Sequence, residues 1–132
     1  MELKNFLTPQ DFFYLKKITN EPPENWFKNI YIYITEKCQL RCKHCYLGGR
    51  LKKEIIMPKK EVFDNLVFWK RIGGRKLCLL GGEPTLHPHF EEIVKYANKI
   101  GYEKVIMDTN GLRVALDKLS NLDYSDFSYI QI

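Results

Sequence analysis

Short apolar runs alternate with longer amphipathic segments from residue 29 to the end of the 132-residue chain. The runs NIYIYIT, KLCLL, KVIMDT and FSYIQI are rich in β-branched and aromatic residues, which favours strands. The segments between them are long enough to form the helical crossovers that parallel strands require. The order β-α-β-α-β-α-β therefore predicts an α/β fold with a parallel sheet and right-handed connections.

The pattern also predicts the bounds of the elements and of two regions. We predict strands over residues 29–35, 76–80, 104–109 and 127–132, and helices over 58–73, 87–101 and 112–120. Residues 29–132 form the core domain in this scheme, and residues 1–28 form an N-terminal helical extension. The last strand has no predicted neighbour on its far side, and natural sheets protect such edges. We therefore expect this chain to be the front part of a longer protein, or another chain to cover the edge.

The N-terminal extension has its own helix signals. Thr8 is a suitable N-cap, Pro9 suits the first helical position and Asp11 lies in the first turn. The paired prolines Pro22 and Pro23 cannot continue a helix, so they end it.

Composition and charge indicate one globular domain. The chain is 45% hydrophobic and 28% charged, with a formal net charge of +5. No apolar run is long enough to cross a membrane, and the start of the chain lacks the apolar region of a secretory signal. We therefore expect a cytoplasmic protein without membrane contact. The modest net charge does not favour a nucleic-acid partner.

Basic residues are concentrated around the cysteine-rich segment. They have two interpretations: a solvated lysine-rich loop, or a surface that offsets a buried anionic centre or attracts an acidic protein partner. The residues concerned are Lys37, Arg41, Lys43, Arg50, Lys52, Lys53, Lys59 and Lys60.

Three of the four cysteines lie in one short loop after the first strand. Cys38, Cys42 and Cys45 have the spacing C-x3-C-x2-C. Soft thiolates suit an iron–sulfur cube, and one loop with this spacing can wrap three of its corners. The fourth iron then has no protein ligand, and open coordination is how a metal centre binds a substrate directly.

Two alternatives to a cluster stay open at this point. Zinc could take His44, His87 or His89 as a fourth ligand, although zinc sites usually combine paired C-x2-C units. The thiols could also be reduced and unligated. Cys78 lies in an apolar run far from the others, and we predict that it is a small buried core residue.

Two further loops follow strands and should share an edge with the cysteine loop. GGEP (81–84) follows the second strand and TNG (109–111) follows the third, and the carboxyl ends of parallel strands meet at one edge, where ligands bind. Asn110-Gly111 is also an ordinary turn signal. Thr109 and Asn110 are accordingly the weaker candidates. His87 precedes Pro88 and is expected at the start of its helix, not in catalysis.

The GGEP loop has features that suit a ligand. Glycines allow close approach, so a ligand could lie against the main chain of Gly81 and Gly82. The carboxylate of Glu83 suits an ammonium group, and Pro84 stiffens the exit from the loop.

Taken together, CQLRCKHC followed by Tyr46, then GGEP, then TNG, resemble the radical S-adenosylmethionine (radical SAM) superfamily over roughly residues 29–132. LHPHFEEIVKYANKIGY resembles the branch that includes molybdenum-cofactor cyclases and peptide-modifying maturases. The family has a partial (β/α)6 TIM-like barrel. The resemblance therefore implies that this chain supplies the first four strands of such a barrel and is apparently truncated.

The resemblance also implies roles for individual residues. Cys38, Cys42 and Cys45 would hold a 4Fe–4S cluster whose open iron is chelated by S-adenosylmethionine. Main chain at Gly81 and Gly82, with Glu83, would contact the amino group of that cofactor, and His44 would lie near the adenine. The full set of expected cofactor-binding residues is Gly81, Gly82, Glu83, Pro84, His44, Tyr46, Thr109 and Asn110.

The implied function is a radical SAM enzyme, or its N-terminal fragment. It would cleave S-adenosylmethionine reductively to a 5′-deoxyadenosyl radical, which abstracts hydrogen from a peptide or a small molecule. The expected electron donor is an acidic flavodoxin- or ferredoxin-type protein that docks near Lys52 and Lys53. The alternative is a catalytically incomplete iron–sulfur or zinc binding module.

Overall fold

The computed structural model describes residues 8–20 and 27–132, and it contains every strand and helix that the sequence predicts. Pro22 and Pro23 lie outside the described residues. The strands are β1 (Asn29–Thr35), β2 (Lys76–Gly81), β3 (Lys104–Asp108) and β4 (Tyr129–Gln131). The helices are α1 (Pro9–Thr19), α2 (Lys59–Arg71), α3 (Phe90–Lys99) and α4 (Arg113–Leu119).

The four strands form one sheet in the order β1-β2-β3-β4, and each neighbouring pair is parallel. The register aligns the apolar side chains in rows across the sheet. Ile32 pairs with Leu79, and Leu79 pairs with Met107. All three are buried, so this row belongs to the core. The α/β fold with a parallel sheet is confirmed.

Helix α3 has four buried apolar residues, whereas α2 has two and α4 has one. The apolar stripe of α3 faces the core: Phe90, Ile93, Val94 and Ala97 are fully buried. Burying one large aliphatic or aromatic side chain contributes about 1.5–3 kcal/mol, so this stripe fixes the helix on the sheet. The opposite face of the sheet carries exposed aromatic side chains, with Tyr31 65% and Tyr129 55% exposed.

The first residues of helices α1 and α3 differ in how well the sequence predicts them. Thr8 caps α1, as the sequence predicts, and it also forms a reciprocal capping box with Asp11. Helix α3 begins at Phe90, whereas the sequence predicts a start at residue 87. A short 3-10 turn, Pro84–Leu86, occupies the preceding chain, and the His87 side chain is held inside the protein.

Within residues 8–20 and 27–132, no helix is long and apolar enough to cross a membrane.

Candidate cofactor site

The three predicted loops meet at the carboxyl edge of the sheet around a cavity of about 320 Å³. Most of the predicted site residues line it, whereas Glu83 and Pro84 are buried and do not line it. The remaining lining residues were not predicted, although Asp108 stands directly before TNG, Leu40 lies within the cysteine motif and Leu47 lies two residues after it. The predicted residues on the wall are Cys38, Cys42, His44, Cys45, Tyr46, Gly81, Gly82, Thr109 and Asn110, and the others are Leu40, Leu47, Leu51, Leu80 and Asp108.

The cysteine loop is closed at its base by backbone contacts. Thr35, at the end of β1, forms an isolated antiparallel bridge with Ile56. The Glu36 backbone N–H donates to the carbonyl of Ile55 at 2.7 Å, and the Thr35 hydroxyl donates to the same carbonyl at 3.2 Å. The chain therefore leaves the sheet and returns to it at one point, which limits the positions that the cysteines can take.

An ion pair that sequence analysis missed reinforces this closure. Glu36 is only 7% exposed, and its carboxylate accepts a hydrogen bond from the Arg50 guanidinium. Arg50 lies in a 3-10 turn, Gly48–Lys53, which is anchored by the buried Leu51. The Arg50 side chain is 64% exposed, so solvent screens the ion pair. The pair therefore helps to position the loop but contributes little to the stability of the fold.

Cys38 has two N–H groups near its sulfur. Its Sγ accepts from the Leu40 backbone N–H at 3.4 Å, and the Asn110 side-chain amide Nδ2 lies 3.9 Å from the same sulfur. The Arg41 guanidinium bends back and donates to the Cys38 carbonyl at 2.5 Å. Cys45 is half-buried and Cys42 is exposed.

Gly81 and Gly82 allow the second loop to pack against the cysteine loop. A Cβ atom on Gly82 would lie 2.5 Å from the Lys37 carbonyl oxygen and 2.8 Å from the Cys38 Cβ. A Cβ atom on Gly81 would lie 2.6 Å from the Thr35 carbonyl oxygen. The sequence suggests that these glycines leave room for a ligand. In the structure their bare Cα positions also admit the backbone of a neighbouring loop.

Two backbone hydrogen bonds join the same pair of loops. The Gly82 N–H donates to the Thr35 carbonyl at 2.9 Å, and the Glu83 N–H donates to the Lys37 carbonyl at 2.8 Å. The chain before Cys38 is therefore held by the GGEP loop as well as by β1.

Glu83 links the second loop to the third. Its side chain is fully buried, and it accepts hydrogen bonds from the backbone N–H of Thr85 at 3.1 Å and the hydroxyl of Thr85 at 2.6 Å. The Thr109 hydroxyl lies 2.9 Å and 3.0 Å from its two oxygens, and the Asn110 N–H donates to Oε2 at 2.8 Å. A carboxylate has about four acceptor positions, so these donors satisfy it within the protein. The expected contact of Glu83 with an amino group stays a prediction.

Cys78 lies away from this cavity. It is 8% exposed, and burial raises the pKa of its thiol to about 11. A protonated thiol is a poor metal ligand. The prediction of a buried core cysteine is confirmed.

His87 connects the start of α3 to the chain before α2. It is 1% exposed, its Nε2 lies 2.8 Å from the Met57 carbonyl oxygen, and its Nδ1 accepts from the His89 N–H at 3.1 Å. A carbonyl cannot donate, so Nε2 carries the proton and the ring is neutral. Burial holds the pKa of His87 below its usual value.

The three loop thiols are soft donors of the kind that bind zinc or an iron–sulfur cluster. In the described part of the chain, no three histidine, cysteine, aspartate or glutamate side chains converge on a point that one metal ion could occupy. A cube offers each thiol its own iron, so the sulfurs need not converge. Three soft donors on the wall of one cavity are the kind of donor set that an iron–sulfur cube takes. The fold and the cavity define an α/β protein with three thiols on the wall of one cavity at the carboxyl edge of a parallel sheet.

Comparison with known proteins identifies the family. The family model of the Radical SAM superfamily matches residues 32–132, and the chain belongs to this superfamily. It is 31% identical over 114 residues to an S-adenosylmethionine-dependent nucleotide dehydratase of Flammeovirga pacifica, covering 82% of this chain and 39% of the relative. It is 32% identical over 110 residues to a GTP 3′,8-cyclase of Aeromonas hydrophila, covering 74% of this chain and 32% of the relative. The chain thus spans well under half the length of these relatives.

Solved structures show the same fold. SuiB of Streptococcus suis bound to the precursor peptide SuiA aligns with a TM-score of 0.64 and 24% identity, over 85% of this chain and 25% of that one. SuiB bound to S-adenosylmethionine aligns with a TM-score of 0.58 and 21% identity, over 74% of this chain and 23% of that one. The predicted family and its partial-barrel fold are confirmed.

Proposed function

We propose that this chain holds a 4Fe–4S cluster on Cys38, Cys42 and Cys45 and acts, as the N-terminal part of a radical SAM catalytic domain, in the reductive cleavage of S-adenosylmethionine. The observation that supports this most is the shared cavity: the three thiols, the Gly81–Gly82 main chain and the TNG loop line one space of about 320 Å³. Superfamily membership implies S-adenosylmethionine-dependent radical chemistry.

In this proposal, the residues of the chain position the cluster and S-adenosylmethionine relative to each other. Cys38, Cys42 and Cys45 would hold the cluster, and its remaining iron would be free for the amino and carboxylate groups of S-adenosylmethionine. A cluster held there would supply one-electron reduction of the sulfonium of S-adenosylmethionine, the chemistry that cleaves its C5′–S bond. Gly81 and Gly82 present main chain to the cofactor's amino group, and His44 and Tyr46 flank its adenine side.

We propose that Glu83 contributes charge to the same amino group from below the cavity wall. Its bonds to Thr109 and Asn110 hold the third loop at the edge of the sheet. The carboxylate is buried, and it therefore acts on a cation at the wall in a medium of lower dielectric than water.

The electron reaches the site from an acidic donor protein in this proposal. Lys52 and Lys53 are exposed on the 3-10 turn that follows the cysteine loop. A basic patch close to the cluster loop suits a flavodoxin- or ferredoxin-type donor, because complementary charge speeds encounter.

The proposed substrate is a nucleotide or a peptide. By their names, the relatives above 30% identity act on nucleotides or on GTP, and SuiB is bound to a precursor peptide. The nucleotide class has the stronger support, because its relatives are 31% and 32% identical to this chain, whereas SuiB is 24% identical. GTP, followed by the other common nucleoside triphosphates, is the first probe, and loss of the nucleotide with release of 5′-deoxyadenosine is the readout.

Anaerobic reconstitution of the 132-residue chain tests the proposal. We expect a brown protein whose reduced EPR spectrum changes when S-adenosylmethionine is added, with 5′-deoxyadenosine as product. Cys38→Ala, Cys42→Ala and Cys45→Ala should each lose the colour, whereas Cys78→Ala is the matched control and should keep it. Colour without a response to S-adenosylmethionine would instead support an iron–sulfur binding module. A colourless protein that binds zinc would refute the cluster assignment.

A further inference from the structure

The Asn110 side chain lies between the third loop and the cysteine loop, with its amide directed at one cysteine. Its Oδ1 accepts a hydrogen bond from the Leu112 N–H at 3.1 Å. The other end of the amide, Nδ2, lies 3.9 Å from the Cys38 sulfur, within hydrogen-bonding reach of this large atom. Since Oδ1 already has a donor, the amide is oriented with its N–H groups toward the sulfur.

The backbone of Asn110 is fixed as well. Its N–H donates to Oε2 of the fully buried Glu83 at 2.8 Å, and the neighbouring Thr109 hydroxyl is bound to the same carboxylate. Glu83 therefore sets the position from which the amide reaches Cys38. This contact joins residues 72 positions apart in the chain.

Cys38 is thus the loop thiol with two N–H groups near its sulfur, one from the Leu40 backbone and one from the Asn110 amide. Hydrogen bonds to cluster sulfurs are among the factors that set the reduction potential of an iron–sulfur centre. The reason is electrostatic: the reduced cluster is more negative, so an N–H dipole directed at a thiolate stabilises it more than the oxidised form.

We propose that Asn110 tunes the cluster through Cys38, in addition to any contact with S-adenosylmethionine, and so makes the one-electron reduction easier. The inference rests on the proposed function, since it requires a cluster on Cys38. The step adds one electron from a low-potential donor to the cluster, and no bond is made or broken. Asn110 is a positioning residue in this scheme, because it acts through a ligand and not on a reacting atom.

The test is an EPR-monitored redox titration of the reconstituted chain with dithionite, without S-adenosylmethionine. Asn110→Leu removes the donor at similar size, and Asn110→Asp keeps an acceptor for the Leu112 N–H while it replaces the donor with negative charge. We expect Asn110→Leu to lower the equilibrium constant for cluster reduction about fivefold. This corresponds to a midpoint potential lower by about 40 mV, at about 59 mV per tenfold for one electron. Asn110→Asp should lower the potential further. Leu112→Ala is the matched control, because it changes a side chain of the same loop and leaves both partners of the amide in place.

The outcomes are distinguishable. Lower potentials in the Asn110 variants, with Leu112→Ala unchanged, support the inference, and either Asn110 variant suffices if the other fails to assemble a cluster. A change in midpoint potential of less than about 10 mV, which is about 1.5-fold in the equilibrium constant for reduction, overturns the inference and leaves the proposed function intact. An equal shift in Leu112→Ala also overturns it, because the shift would then follow from disturbance of the loop. Failure of the wild-type chain to assemble any cluster overturns the proposed function, and the inference with it.

Discussion

The Thr109 hydroxyl lies 2.9 Å from one carboxylate oxygen of Glu83 and 3.0 Å from the other, so it joins the loops that follow β2 and β3. Gly82 joins the loop after β2 to the loop after β1, through its N–H bond to the Thr35 carbonyl at 2.9 Å. The GGEP loop therefore contacts both the cysteine loop and the TNG loop. Substitutions in the GGEP loop should alter the positions of all three loops.

Glu83→Gln should destabilise the protein. Gln has the size of Glu but places an N–H group where the carboxylate receives donors, so at least one buried donor loses its acceptor. We expect the free energy of unfolding to fall by about 1–3 kcal/mol, measured by urea denaturation of the metal-free chain. Glu92→Gln is the control, since Glu92 lies on the surface of α3 and its side chain is 55% exposed. Equal stability of Glu83→Gln and the wild type would contradict the role of Glu83 as a link between loops.

Gly82→Ala should impair both folding and cluster assembly. The added methyl group would lie 2.5 Å from the Lys37 carbonyl oxygen, so the cysteine loop or the GGEP loop has to move. Such overpacking typically costs about 1–3 kcal/mol, and we expect a matching loss of iron and acid-labile sulfide per chain. Gly49→Ala is the matched control, because nothing lies within 4 Å of a Cβ atom there. If both variants assembled clusters equally well, the packing role of Gly82 would be wrong.

His87 should make stability depend on pH. Burial lowers its pKa in the folded chain, whereas the unfolded chain protonates near the ordinary value of about 6.5. The unfolded state therefore binds more protons below about pH 6.5, so stability is complete above that pH and falls as the pH decreases toward the lowered pKa. The slope for one proton is at most about 1.4 kcal/mol per pH unit.

Thermal unfolding of the metal-free chain at pH values from about 5 to about 8 measures this effect, because histidine side chains titrate within that range. His87→Gln should lose that part of the slope, while a change at the exposed His44, His44→Gln, should keep it. An unchanged slope in His87→Gln would assign the pH dependence to another group.

Charge reversal at Lys52 and Lys53 should slow reduction of the cluster by an acidic protein donor. We expect the Lys52→Glu, Lys53→Glu double variant to reduce about tenfold more slowly at low salt, with a smaller difference at high salt because salt screens the attraction. Stopped-flow absorbance with flavodoxin measures the rate, and dithionite should reduce both proteins alike. Lys95→Glu, Lys99→Glu, on the later turns of α3, is the control. Equal rates for the two double variants would remove Lys52 and Lys53 from the docking surface.

The order of strands and helices followed from local pattern alone. Strand β1 has the predicted bounds, and the apolar stripe of α3 is the buried one. These features depend on side chains close together in sequence, so periodicity and composition are sufficient to predict them. The meeting of the three loops at one edge followed from the parallel sheet, because its strands end on the same side.

Long-range contacts decided what the motif residues do. Glu83 bonds to Thr109, 26 residues away, and His87 faces Met57, 30 residues away. No local signal separates a carboxylate that is open to a ligand from one that is satisfied by another loop. The sequence by itself determined the fold class and the edge of the sheet at which the three loop thiols meet. Only the tertiary structure decided that the GGEP carboxylate is buried, that its glycines admit the cysteine loop, and that the Asn110 amide is directed at Cys38, since each depends on backbones brought together by the packed sheet.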